Sequence, residues 1–524
     1  MRNARRFVVG ATTKLGLRLS CVEVPPPVLL SESPPPVDAA HCRWAAQLMI
    51  AMGGGSMQRN GLPPDHVLGI SSLRHEYRLD EDLGTLGAGQ LQHRNPMIAL
   101  NVHSAGNHMP EALIIDAVRT PRGIGKVGKG ALADHHPQHL GATVLKALAE
   151  RNGLNTAEVD DIIWGTSSQR GKQGGDLGRM SALDAGYDVR ASGVTLDRYC
   201  GSGITAVNLA AAQIMSGMED LVIGGGTEMM SYTAASAPKP DPEAGPMLMD
   251  SGNLSLRAKH PQSHQGVCAD AIATMEGISR EALDELALVS QQRAEHAIRN
   301  GHFDKSLTTV YRTDGSVALD REEFPRPQTT MEGLAALKPA FESMANFPLN
   351  AEGMTFAGLI NRVYPDLKIR HFHHAGNSSG VVDGSGAVLL ASPQYAAKHG
   401  LKARARVVAM ANVGDSPTLM LNAPVPAARK ALAKAGLTVE DIDLWEINEA
   451  FAVVAEKFIR DLKLDREKVN VNGGAMALGH PIGATGAILI GTMVDELERR
   501  GLKRGLVTMC AAGGMAPAII IERV

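Results

Sequence analysis

The chain has 524 residues, 44% of them hydrophobic and 20% charged, enough for roughly two to four folded units rather than one small module. Its 52 basic residues nearly balance 55 acidic ones, so no global charge draws it to nucleic acid or to an anionic membrane. No apolar run reaches the ~18 residues of a membrane span, and five cysteines without a CxxC pair give neither a disulfide framework nor a zinc ribbon.

Residues 1–108 stand apart from the rest of the chain. They carry proline clusters at 25–27 and 34–36, glycines at 53–55, and little sustained period of either 3.6 or 2. Before Glu23 come Arg2, Arg5, Arg6, Lys14 and Arg18 with no acid, a pattern shared by organellar transit peptides, by a solvated tail, and by sequence upstream of a mis-assigned start. Met109 leads directly into an apolar run and reads like a natural beginning. No catalytic role is expected of this segment, although it holds Cys21 and Cys42.

From residue 109 onward helix and strand patterns alternate. Residues 113–118, 162–164, 221–223, 387–390, 444–446 and 506–509 are short apolar runs that predict strands, and 140–151 repeats its apolar residues at helical spacing. Such alternation predicts a layered α/β fold with helices packed on sheets.

The two ends of this region resemble one another. Lys146-Ala-Leu-Ala-Glu-Arg-Asn-Gly-Leu matches Lys430-Ala-Leu-Ala-Lys-Ala-Gly-Leu after a one-residue gap, and both run on to an Asp. The differences 437 − 154 and 443 − 160 are both 283, and the same offset carries Gly203 onto Gly486. Each glycine opens an apolar helical stretch, 204–218 and 487–497, that leads to a strand with a glycine-rich end. Two copies of one layered α/β unit about a pseudo-two-fold axis are expected: 109–226, completed by part of 375–400, and 375–524. Between them 227–374 reads as a less regular loop domain and insert. Corresponding loops of the two copies would then face each other.

Those loops carry the reactive side chains. Cys200, in Asp197-Arg-Tyr-Cys-Gly-Ser-Gly, sits before a helix whose positive end would favour thiolate; the plainer reading is a buried structural cysteine. His480, in Gly479-His-Pro-Ile-Gly-Ala-Thr-Gly, falls in the loop that the repeat equates with that of Cys200, which would give the thiol a base. Cys510 follows an apolar strand and could relay protons or belong to the core. Asn448, in Asn448-Glu-Ala-Phe, offers an amide for a water or carbonyl, while Glu449 suits a structural ion pair. Cys268 reads as helix packing. Gly224–Gly226 lacks the lysine of a phosphate-binding loop, and no metal site is expected.

With Gly224-Gly-Gly-Thr-Glu-Met-Met-Ser and Ala375-Gly-Asn-Ser-Ser-Gly, these segments appear in one order from about Met109 to Val524, and that set resembles the thiolase family. The resemblance implies a fold of two similar five-layered α/β halves with a loop domain, assembled as a homodimer or homotetramer. It implies reversible acyl transfer among acyl-CoA, acetyl-CoA and CoA, with no cofactor beyond these substrates. His480 would activate Cys200 to take up the acyl group, and Cys510 would exchange a proton with the substrate α-carbon. Asn448 would hold a water at the enolate oxygen, and the backbone N–H groups of Cys200 and Ala512 would stabilise the oxyanion. Ser379, Ala375, Met420, Phe451, His264 and Phe341 match positions that contact the pantetheine arm and acyl group. A cytoplasmic location comes first and a mitochondrial matrix second.

Three departures from the family pattern stand out. Ala512 replaces a usual glycine, so its φ should be negative. Gln265 replaces the methionine usual in biosynthetic members, and 33 residues separate Phe341 from Ala375, far more than in short members. That insert brings His371, His373 and His374, which fit a pocket wall or strand end better than a metal. The rivals are a one-way condensing enzyme of the same superfamily, which generally lacks the second cysteine, and a non-catalytic acyl-CoA or lipid-binding protein, which should have lost Cys200, His480 or Cys510.

Overall fold

The computed structural model describes residues 111–237, 248–350 and 352–524. The expectations for residues 1–108 lie outside the described residues. Nine strands form the main path of one sheet: β1 (Leu113–Arg119), β3 (Asp161–Gly165), β4 (Val194–Leu196), β5 (Leu221–Met229), β8 (Val382–Ala391), β9 (Ala405–Gly414), β10 (Leu444–Ile447), β11 (Arg504–Thr508) and β12 (Met515–Arg523). The short β2 (Gly123–Ile124) pairs with β8 off that path, and β6 (Val310–Tyr311) with β7 (Val317–Leu319) makes a separate hairpin. The helices of eight residues or more are α1 (Pro137–Asn152), α2 (Leu177–Asp184), α3 (Ser202–Ser216), α4 (Gln265–Met275), α5 (Arg280–Arg299), α6 (Pro424–Ala435), α7 (Ala452–Leu462) and α8 (Thr485–Arg500).

The strand order β10-β11-β12-β9-β1-β8-β5-β3-β4 divides at β9–β1, where only Leu113↔Arg406 and Ile114↔Ala405 pair. On each side the sequence repeat becomes a structural one. β3 lies parallel to β5 with Asp161 opposite Val222, and β10 lies parallel to β11 with Leu444 opposite Gly505, both pairs related by the offset of 283. The repeat extends to a side chain: Asp160 Oδ2 accepts the N–H groups of Asp220 and Leu221, and Asp443 Oδ2 accepts those of Lys503 and Arg504. The first half has β4 beside β3, whereas in the second half that place is reduced to a single parallel bridge, Trp445↔Val469.

β5 and β8 are buried along their whole length, as strands covered by helices on both faces must be. α3 packs on β3 and β5, α8 packs on β11, β1 and β8, and α3 and α8 pack on each other. Layers therefore run helix, sheet, helix, sheet, helix, with one apolar cluster built from α3, α8 and the inner faces of both half-sheets. A second cluster lies under α1 and a third under α6 and α7.

α3 and α8 meet at their N-terminal glycines. A Cβ at Gly203 would stand 2.8 Å from the Gly486 nitrogen and 2.9 Å from that of Ala487, backbone atoms that cannot rotate away. Gly203→Ala is therefore expected to lower stability by about 1–3 kcal/mol or more through overpacking, read as an earlier urea midpoint with unchanged slope.

Two expectations need correction. The boundary at 226/227 cuts β5, which runs on to Met229 because its register with β8 continues to Asp383. The region 227–374 is also more regular than expected, since it contains the 20-residue α5, capped by Ser279, whose side chain accepts from Ala282 N, and burying Leu283, Ala287, Ala294 and Ala297. Those residues recur at helical spacing, but they are mostly alanines, whose small apolar surface gives a weak signal. β8 pairs with both β1 and β5, so the segment after the insert does complete the first half.

Candidate active site

Cys200 closes a tight turn between β4 and α3. Asp197 Oδ1 accepts from Tyr199 N at 2.6 Å, Tyr199 takes a φ of +49°, and Ser202 Oγ accepts from Arg198 N while donating to the Tyr199 carbonyl. This leaves Cys200 buried, directly ahead of the helix. The expectation of a ready thiolate is overturned. Burial pushes the Cys200 thiol up to about 12; its own N–H and the Gln265 side chain pull the other way, and the nearby Glu228 and Asp197 carboxylates add to the rise. Removal from water outweighs the helix end, so the thiol needs a base at the moment of attack.

His480 is oriented for that role. Its Nδ1 is 2.6 Å from Thr485 Oγ1, whose own hydroxyl donates to the Pro481 carbonyl at 2.9 Å. With that proton committed, Thr485 accepts from His480 Nδ1–H, and Nε2 carries the lone pair. Nε2 is buried with no hydrogen-bond partner among the described residues. Burial, and then the Arg122 cation, hold the imidazole's pKa down to about 3. Cys200 and His480 thus both rest uncharged.

The sign of this shift makes a test. Between the unfolded value near 6.5 and the folded value near 3, only the unfolded chain binds a proton at His480, so stability falls as pH falls through that window. The slope from this group approaches ~1.4 kcal/mol per pH unit. Denaturation at pH 7 and pH 5 should show a smaller pH dependence in His480→Asn than in the wild type.

The loops that carry His480, Ser379, Asn448 and Cys510 are tied together by backbone hydrogen bonds. His480 N donates to the Gly380 carbonyl, Gly380 N to Ala475, Ser379 N to Ala450, and Asn448 N to Thr508 at the end of β11. Cys510 lies just beyond that point, buried, its thiol held up by burial and by proximity to Cys200. Asn448 is buried, and among the described residues both its side-chain polar atoms are without partners. Ala512 does not have positive φ, as expected; Gly513 and Gly514, both at +78°, make the turn instead. Among the described residues no carbonyl accepts the N–H of Cys200 or of Ala512, leaving both donors open.

Rings form one side of the site. Phe451 meets Phe341 edge-on at 5.8 Å, and Phe341 lies 5.6 Å from His264, whose protonation burial disfavours. Met420, at φ +66°, is fully buried in the apolar cluster that includes Phe451, Cys510 and Ala512. Ala375 is placed differently: it is exposed and lines a cavity of about 200 Å³ with Phe324, Arg326, Thr330, Leu334 and Met476. Cys268 packs inside α4 with its thiol toward the Thr418 carbonyl. The insert histidines pair with carboxylates, His371 and His373 with Asp270 and His374 with Asp284.

Sequence reasoning gave Glu228 no role, although it stands in the glycine-rich motif Gly224-Gly-Gly-Thr-Glu. Its buried carboxylate accepts from Ser167 N, Ser167 Oγ, Gln173 Nε2 and Thr166 Oγ1, and from Gly483 N in the His480 loop. It thereby fastens β5 of one half to the base-bearing loop of the other. Two nearby groups were equally silent, Thr485 and Arg122, because their parts depend on tertiary placement.

Comparison with known proteins fits this geometry. Residues 112–347 match the family model for the thiolase N-terminal domain, and 401–523 match that for the thiolase C-terminal domain. The chain belongs to the thiolase family. It is 40% identical over 430 residues to a steroid 3-ketoacyl-CoA thiolase of Mycobacterium tuberculosis, covering 81% of this chain and 97% of that protein. It is also 40% identical over 430 residues to a β-ketoadipyl-CoA thiolase of Acinetobacter baylyi, with 79% and 100% covered. The crystal structure of the Bacillus anthracis acetyl-CoA acetyltransferase superposes with a TM-score of 0.67 at 35% identity, covering 79% of this chain and 99% of that one. In this thiolase the unmatched stretch between the two family models, 348–400, contains most of the insert together with β8.

Proposed function

We propose that this thiolase moves acyl groups between CoA esters through an acyl-Cys200 intermediate, in the thiolysis of 3-oxoacyl-CoA and its reverse. The observation that carries the assignment is the buried pair of thiols, Cys200 and Cys510, with Glu228 standing near Cys200 and holding Gly483 of the loop that carries His480, whose Nε2 has no partner among the described residues. In the thiolysis direction His480 Nε2 takes the Cys200 proton as the sulfur attacks the 3-oxo carbon. The oxyanion that forms is held by the open N–H groups of Cys200 and Ala512, each such donor worth on the order of 10²–10³ in rate. Collapse breaks the carbon–carbon bond, and Cys510, held as a thiol by its burial, gives its proton to the departing α-carbon. Asn448, through a water, and the His480 imidazolium steady the enolate oxygen, and acetyl-CoA leaves. CoA then enters, its proton restores Cys510, its sulfur attacks the acyl-Cys200 thioester, and His480 returns the proton to Cys200.

No electron changes hands in these steps, so the chemistry calls for neither a redox cofactor nor a metal. Ser379, Met420, Phe451, His264 and Phe341 are assigned to the pantetheine and acyl groups, with Ala375 at the outer end of that run. A cytoplasmic homodimer or homotetramer is the proposed working form; the free state of Cys200, Cys268 and Cys510 suits a reducing compartment. Among the described residues no helix is long and apolar enough to cross a membrane.

The test is to mix the protein with acetyl-CoA, quench, and map the adduct by peptide mass spectrometry. An acetyl group on Cys200 is expected; folded protein that carries none there refutes the assignment.

A further inference from the structure

The insert ends in Arg370-His-Phe-His-His-Ala, immediately before the loop that carries Ser379. Its three histidines are not equivalent. His374 uses both ring nitrogens, with Nε2 2.9 Å from Asp284 Oδ1 and Nδ1 accepting from Gly376 N. His371 is partly exposed, so water reaches its ring. His373 is wholly buried, and its Nε2 has no partner among the described residues.

That ring is held firmly. Nδ1 is 2.7 Å from Asp270 Oδ1, and the same carboxylate accepts the N–H groups of Phe372 and His373 and contacts His371 Nδ1. The plane of His373 stands at 87° to that of Phe451, 5.7 Å between centroids, so it joins the row of rings through Phe451 and Phe341. Phe451 closes the segment that begins at Asn448, whose two amide atoms are unpartnered, and its backbone bridges Ser378, whose Oγ is unpartnered as well. Buried polar atoms without partners are costly and uncommon, and here two of the residues that carry them, His373 and Ser378, meet Phe451, while a third, Asn448, opens the segment that Phe451 closes.

We propose that His373 is a specificity-determining residue that selects an acyl group bearing an oxygen beyond its 3-oxo carbon, which Nε2 hydrogen-bonds. This rests on the thiolase reading of the site. A plain alkyl chain would leave Nε2 buried and unpaired, and a site built to hydrogen-bond a substrate atom discriminates strongly against an analogue that lacks it. A hydroxyl would donate to Nε2; a carboxylate would accept from an Nε2–H. Both are oxygen functions of the chain, and the assay separates them.

The experiment compares thiolysis of 3-oxohexanoyl-CoA, 6-hydroxy-3-oxohexanoyl-CoA and 3-oxohexanedioyl-CoA by wild-type protein, His373→Leu and His373→Gln, each as kcat/KM. In the wild type one oxygenated substrate should exceed the alkyl one by on the order of 100-fold, and which of the two does so names the group. His373→Leu should reduce that ratio to within about threefold of unity, and His373→Gln should lower it or switch it from one oxygenated end to the other. A wild-type ratio near one overturns the inference even if the leucine variant fails to fold, as does a ratio that neither substitution changes. Absence of thiolysis in the wild type for all three and for acetoacetyl-CoA instead refutes the thiolase reading of the site, and this inference falls with it.

Discussion

Cys200→Ala is expected to remove thiolysis almost completely, by about 10⁴-fold or more, while CoA esters still bind. In the proposed mechanism this thiol stores the acyl chain between two CoA molecules, and without it the two half-reactions share no intermediate. The loss should appear in kcat, because the alanine keeps the turn set by Asp197, Tyr199 and Ser202 and leaves the aromatic wall of Phe451 and Phe341 in place. Steady-state rates with acetoacetyl-CoA and CoA, paired with calorimetric binding of acetyl-CoA, check both parts. Residual turnover within a hundredfold of the wild type would mean that a different group carries the acyl chain.

Cys510→Ser should separate the reaction into its halves. Serine keeps the shape but has a far weaker acid, so the step that moves a proton to or from the α-carbon should slow by about 10²–10⁴-fold. Exchange of acetyl between acetyl-CoA and labelled CoA moves no proton to or from carbon, and the CoA thiol proton that Cys510 takes in full turnover can pass to His480 instead, so exchange should stay within about tenfold of the wild type. The two thiols sense each other's charge, so an ionised Cys510 would hinder formation of the Cys200 thiolate; serine removes that coupling. If exchange and thiolysis fell together by the same factor, Cys510 would be a packing residue of the site and not its second acid–base group.

Much of this arrangement was legible in the sequence for a definite physical reason. A duplicated unit repeats its apolar spacing, its turn glycines and its capping acids, so the offset read from Leu154 and Leu437 also holds for the carboxylates of Asp160 and Asp443 and for the register of β3–β5 and β10–β11. Residue type at a turn, with the repeat, marked Cys200 and His480 as candidates, whereas Cys510 and Asn448 took their roles from the resemblance to the thiolase family. Their electrical state was not legible, because a sequence shows that Cys200 precedes a helix but not that burial outweighs the helix end. Glu228 was missed on similar grounds: three of its five donors come from Thr166 and Ser167, some 60 residues away, and one from Gly483, 255 residues away. The long α5 was hidden by its many alanines, and the partners of His373 arise only when the insert folds back on α4.

The two helices that start at Gly203 and Gly486 come from matching halves, yet the loops before them have different contents. The offset of 283 sets His480 against Asp197 and Cys200 against Gly483, so one copy supplies the sulfur and the other the imidazole. In the proposed mechanism neither copy would work alone, and the positions that the repeat sets opposite the base and the thiol hold Asp197 and Gly483. This fixes the stoichiometry: a rapid-quench burst with acetyl-CoA should saturate at one acetyl group per polypeptide, whatever the number of subunits in the assembly.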